Sequence, residues 1–166
     1  MTRLLVSLSI VATLATAPNA AAESLAEVSA RIGAGVAVGG GAGRSTLRGS
    51  PVVVSIDGAY AIRETPAAWG FAGVVVETYD RTGVGLQGGL AISLGSQGKA
   101  RVGARSIVRP YTLHGGLVGA SWCRPTAPLR GCVDLEGDLY IAGTDLPERT
   151  AVAQVVLAVG VTFDAW

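Results

Sequence analysis

Val28-Ser29-Ala30-Arg31-Ile32-Gly33-Ala34-Gly35-Val36-Ala37-Val38 places an apolar side chain at every even position and a small or charged one at every odd position. Successive side chains of a β-strand point to opposite faces, so this stretch is a ribbon with one apolar face and one small or polar face. The alternation returns along the chain. It predicts eight strands, at 26–38, 51–63, 68–79, 84–95, 99–109, 113–123, 132–142 and 151–163. Each has about the length of a membrane-crossing strand, ~9–11 residues. Turn chemistry separates them, as in Gly39-Gly40-Gly41-Ala42-Gly43, Asp80-Arg81-Thr82-Gly83, Gly95-Ser96-Gln97-Gly98 and Arg109-Pro110.

The phase within each strand decides which surroundings the chain is built for. Val52, Val54, Ile56, Tyr60 and Ile62 oppose Ser55, Asp57 and Arg63, while Leu86, Leu90, Ile92 and Leu94 oppose Gln87, Gly89 and Ser93. Val102 and Val108 oppose Lys99, Arg101, Arg105 and Arg109. Val133, Leu135, Leu139 and Ile141 oppose Asp134, Glu136, Asp138 and Tyr140, and Val155, Leu157, Val159 and Phe163 oppose Gln154 and Thr162. A soluble barrel would turn the apolar face inward and meet water with glycine, alanine and isolated charges, a poor solvent surface. A membrane barrel turns it to lipid, and the small face lines a narrow lumen in which glycines make room for a few large side chains. Closure leaves no backbone group unpaired in hydrocarbon. The fold class expected is therefore all-β: a closed antiparallel up-and-down transmembrane β-barrel of eight strands. Two strands fit less simply. Trp69 and Phe71 share a phase with Glu77, which a β-bulge near Gly70 or Gly73 would reconcile, and Leu117 falls on the lumen side of strand six.

Composition agrees. Charged residues make up 15% of the chain, Gly occupies 24 of 166 positions, and the mean hydropathy is positive at +0.46. A soluble domain is about a quarter charged. Arg3, the apolar run Leu4–Ala17 and the small residues Ala20-Ala21-Ala22 read as a secretory signal peptide over 1–22, leaving 23–166 as one barrel domain. Removing Arg3 leaves twelve of the thirteen basic residues against twelve acidic ones, a balance that argues against nucleic acid or an acidic polymer as a bulk partner. Cys123 and Cys132, in an exported chain, are expected to form a disulfide, since no His or further Cys lies near enough in sequence to complete a metal site.

Signal peptide, even strand number, Gly-rich alternation and a C-terminal aromatic together resemble the small eight-stranded outer-membrane β-barrels of the OmpA and OmpX type. The resemblance implies the outer membrane of a Gram-negative bacterium, contact with its lipid, and recognition by the barrel assembly machinery through a last strand ending at Trp166. Asp164 occupies a position where that terminal signature has an apolar residue, and Phe163 lies out of phase with Trp166. With both termini periplasmic, Tyr60, Trp69, Phe71, Trp122, Phe163 and Trp166 cluster toward one interface, and Tyr79 and Tyr111 toward the other. The Cys123–Cys132 segment is then a long periplasmic turn.

The candidate site is electrostatic. The basic residues Arg31, Arg63, Lys99, Arg101, Arg105 and Arg109, and the acidic residues Glu27, Asp57, Glu77, Asp134, Glu136 and Asp138, all occupy the polar phase. Strand five is a basic ladder and strand seven an acidic one, separated by Gly115, Gly119 and Ser121 of strand six. Buried charges are tolerable only when paired, so an ion network plugging the lumen is expected, with a polar path or switchable gate for small solutes as the sharper alternative. No cofactor or metal site is indicated. Catalysis is disfavoured: the sole histidine, His114, lies seven residues from Ser121 and on the opposite face, and Ser106 points to the apolar phase, so a lipid-modifying outer-membrane enzyme, a class this chain resembles in size, stays only as a minor alternative. Gly33-Ala34-Gly35 and Gly98-Lys99-Ala100 break the nucleotide-binding patterns they faintly match. The alternative is a soluble, periplasmic or secreted, lipocalin-like barrel whose apolar interior binds a small hydrophobic ligand.

Overall fold

The computed structural model describes residues 25–41, 44–48, 51–62, 67–78, 81–126, 129–146 and 150–165. The N-terminal segment read as a signal peptide lies outside the described residues, as do Arg63, Tyr79 and Trp166. Nine strands make one antiparallel sheet: β1 (Ala26–Gly41), β2 (Arg44–Arg48), β3 (Val52–Ala61), β4 (Ala68–Thr78), β5 (Thr82–Leu94), β6 (Gly98–Arg109), β7 (Leu113–Thr126), β8 (Leu129–Ala142) and β9 (Thr150–Ala165). β1 pairs with β9 from Ala26↔Ala165 to Gly41↔Thr150, which closes the sheet into a barrel. β2 and β3 share one edge of β1, β2 against Ala37–Gly41 and β3 against Ala26–Ala34. They are two pieces of one barrel strand, so the barrel is eight-stranded.

The alternation read from the sequence appears as the two faces of the wall. Ile32, Leu86, Val102, Val118, Leu135 and Leu157 are each more than half exposed on the outside, while their sequence neighbours are inside. An apolar exterior of this extent is a surface for hydrocarbon. It overturns the lipocalin-like alternative, which requires the same side chains to line a cavity.

Three expectations need correction. β4 runs without a register shift against both β3 and β5, so no bulge lies near Gly70 or Gly73. Its odd positions simply all point inward: Trp69, Phe71, Val75 and Glu77 are buried. Trp69 and Phe71 therefore do not belong to an outer aromatic belt. They pack inside against Ala61, Ala91 and Leu117, which gives the inward Leu117 its partners. Tyr111 is likewise buried, in a second apolar cluster with Val53, Val75, Ile107, Leu113, Tyr140 and Val156. Tyr60, Trp122 and Phe163 remain outside. Lastly, the cysteines do not bracket a long turn. β7 and β8 continue as a hairpin to Thr126 and Leu129, and Cys123 pairs directly with Cys132. The disulfide bridges these facing residues.

Register shifts do occur elsewhere, between β5 and β6 at Val84/Gly85 and between β7 and β8 at His114/Gly115. Both lie toward the end of the barrel opposite the termini, here called the loop end.

Candidate functional site

Inside the barrel, odd positions of β1 and β3–β7 meet even positions of β8 and β9. Because strands alternate between the two register shifts, a charge placed in this phase cannot reach solvent through the wall, and finds its partner within the lumen. Arg105 of β6 is 1% exposed. Its guanidinium pairs with Glu136, lies 2.7 Å from Asp138 Oδ2 and donates from Nε to Gln87 Oε1 at 3.0 Å. Arg101 pairs with the other oxygen of Glu136 and lies 3.9 Å from Asp57. Arg31 of β1 pairs with Asp57 of β3 and, at 3.5 Å, with Asp134 of β8.

Amides tie these pairs into one network. Gln87 donates to Asp57 at 2.6 Å while accepting from Arg105. Gln154 donates to Asp138 at 2.8 Å and to Glu77 at 3.4 Å, and Tyr140 donates its hydroxyl to Glu77 at 2.8 Å. Toward the termini, Lys99 pairs with Glu27 and sits 4.0 Å over the Trp69 ring. Arg130 bridges Glu27 at 2.7 Å and Asp164 at 2.6 Å. Above the network at the loop end lies the apolar cluster around Val75, Ile107 and Tyr111.

Glycine is what lets charges this large fit. A Cβ added at Gly160 of β9 would stand 2.6 Å from Arg31 Cγ, and one at Gly119 of β7 would stand 2.8 Å from Arg101 Nε. A cavity of about 60 Å³ remains at the termini end, lined by Arg31, Asp57, Lys99, Arg101, Arg130 and Asp134, with the disulfide on its wall. It has room for a few water molecules. Organic ligands occupy pockets of about 300–1,000 Å³.

Of the residues singled out from the sequence, Arg31, Asp57, Glu77, Lys99, Arg101, Arg105, Asp134, Glu136 and Asp138 line this interior. Arg63 lies outside the described residues. Arg109 departs from its expected place. The register shift at Val84/Gly85 pairs Arg109 with the outward Val84, so the side chain is exposed on the outer face rather than in the lumen. Gln87, Gln154, Tyr140 and Arg130 were not singled out. The first three carried the signal, being the large polar side chains in the inward phase, whereas Arg130 lies before the predicted start of its strand.

The sequence also missed a polar pair on the outside. Ser106 and His114 face each other across β6 and β7, with Oγ and Nδ1 2.6 Å apart. Ser121 lies inside, on the opposite face from His114.

No protein-family model matches the sequence, and no curated protein matches it either. Similarity appears in three dimensions. Neisserial surface protein A superposes with a TM-score of 0.53 at 15% identity, over 86% of this chain and 98% of that one. Ail, the attachment invasion locus protein of Yersinia pestis, solved with the heparin analogue sucrose octasulfate, gives 0.52 at 12% identity, over 83% and 99%. The architecture of this chain is that of the small eight-stranded outer-membrane β-barrels.

Proposed function

We propose that this protein is a non-enzymatic integral barrel of the outer membrane whose lumen is sealed by its own ion network, so that its role is exercised at its outer surface and exposed loops rather than by conducting solutes. The observation that carries the reading is Arg105, buried at the centre of the lumen between Glu136, Asp138 and Gln87. A permeant ion would have to break charge-assisted hydrogen bonds in a confined space and then cross the apolar cluster at the loop end. The small interior cavity supports the same reading, because it ends below that cluster. Residues 1–22 act as the export signal in this proposal, and the β9 strand leading to Trp166 is the segment the assembly machinery reads.

Planar-bilayer recording tests it. The purified barrel is expected to show no sustained conductance, and the variant Arg105→Ala, Tyr140→Ala to show discrete openings. Steady ohmic pores from the unmodified protein would overturn the sealed-lumen reading.

A further inference from the structure

The outer wall is apolar except at its two edges. Among the strand residues whose side chains are described, the charged ones carried outward are Arg124, at the termini end of β7, and Arg109, at the loop end of β6. Arg109 is there through the bulge. Without it, the odd phase of β6 would continue inward and the guanidinium would join the lumen. On the same outer face, about 10 Å back along the strand, stands the Ser106–His114 pair, Ser106 being three positions before Arg109. No ion-pair partner of Arg109 exists among the described residues.

The height of this group follows from the strand. His114 lies eight residues along β7 from Trp122, about 26 Å at ~3.3 Å per residue. A tilt of about 40° reduces that to roughly 20 Å of vertical separation. The apolar band of such barrels is about 25 Å tall and bounded by aromatic girdles. With Trp122 marking one interface, Ser106 and His114 lie just inside the other, and Arg109 stands at its edge. Lipid ester oxygens sit at this edge and the phosphates just beyond it, in the headgroup layer toward which the long Arg109 side chain can extend. When Ser106 donates to Nδ1, the ring proton is on Nε2 and free to donate outward.

From this juxtaposition we infer that Arg109 and His114, with Ser106 as a positioning residue, form a binding site for the phosphate of a lipid headgroup in the leaflet at the loop end. The guanidinium supplies paired N–H donors matched to phosphate oxygens, the imidazole a further one, and the surrounding Val84, Leu86 and Val108 a bed for the acyl chains. The inference assumes membrane residence and is independent of whether the lumen is sealed.

The test compares phosphatidic acid with diacylglycerol of the same chains, bound to the full-length barrel in neutral detergent and counted by native mass spectrometry. The unmodified protein is expected to retain phosphatidic acid about tenfold more than diacylglycerol, a preference of charge-assisted size. Arg109→Gln with His114→Gln should abolish the preference, Arg109→Lys should keep part of it, and Arg124→Gln should leave it intact. Equal retention of the two lipids by the unmodified protein would overturn the site, as would an unchanged preference in the double variant or an equal loss in Arg124→Gln. Competition with inorganic phosphate separates the sources: displacement at equimolar concentration would mean a free-phosphate site and defeat the lipid assignment. Heat-modifiable gel migration identifies folded variants, and the single Arg109→Gln change, on an exposed side chain, serves if the double variant does not fold.

Discussion

Arg101 and Glu136 form an ion pair across Gly119, the residue that stands between them in register on the intervening strand. One strand, and so two inter-strand spacings, separates the partners, and the long arginine covers the gap only because the residue between them has no side chain. The sheet thus converts a sequence triplet that is never contiguous into one contact.

Filling that gap should break the contact. Gly119→Leu is expected to cost about 1–3 kcal/mol through overpacking, and more if the pair separates. Ala120→Leu, one residue on and facing lipid, should be nearly silent. Urea-unfolding midpoints in lipid vesicles, compared side by side, check this.

Inside and outside can also be separated by charge. Arg105→Leu removes the cation paired with Asp138 and leaves Glu136 with Arg101 alone, and breaking one side of a buried pair costs about 3–5 kcal/mol. Val102→Leu should be neutral, since lipid accommodates the added methylene, whereas Val102→Arg should cost roughly 2–4 kcal/mol near the midplane. Thermal unfolding of the three variants tests the phasing. A wild-type melting profile for Arg105→Leu together with a destabilised Val102→Leu would invert it.

The apolar patch within the lumen makes a different demand. Leu117 packs with Trp69 and Phe71, so Leu117→Ala should cost about 2–5 kcal/mol and red-shift the emission of Trp69. Val118→Ala, next along the strand and exposed, should do neither.

The disulfide closes a short loop, with a sequence separation of 9. Its chain-entropy effect is correspondingly modest, about 2–3 kcal/mol, which the Cys123→Ser, Cys132→Ser double variant should lose. With periplasmic termini, the reduced thiols should be silent toward an impermeant reagent on intact cells. Labelling there would place this end of the barrel outside.

The sequence made the wall legible because lipid imposes a period of two on every strand, and the predicted ranges track the observed ones closely from β3 to β6. The short β2 was not legible: Gly39–Gly43 reads as the end of a strand, whereas β1 continues through those glycines to Gly41. Inward charges could be assigned strand by strand, and the ladders of strands five and seven set against each other across strand six, as Arg105 and Glu136 are, but the other pairs depend on the stagger between strands that are distant in sequence. Arg31 finding both Asp57 and Asp134 is of that kind. Bulges are harder still. A single extra residue reverses the phase locally, which is why Arg109 was assigned to the lumen, whereas Ser106 and His114 face each other through the regular β6–β7 register, which alternation alone does not give.

The closing seam between β1 and β9 puts Ala26 beside Ala165. Topologically, then, the described strands form a ring whose opening between β1 and β9 is, in hydrogen bonding, a joint like the others. Joining those ends through a short linker and cutting instead at the Gly95–Gln97 turn should yield a circular permutant with the same wall and the same interior pairs. The permutant would end on Leu94, a strand that evolved in the middle of the chain, and so would separate what the barrel needs to be stable from what its assembly needs to begin.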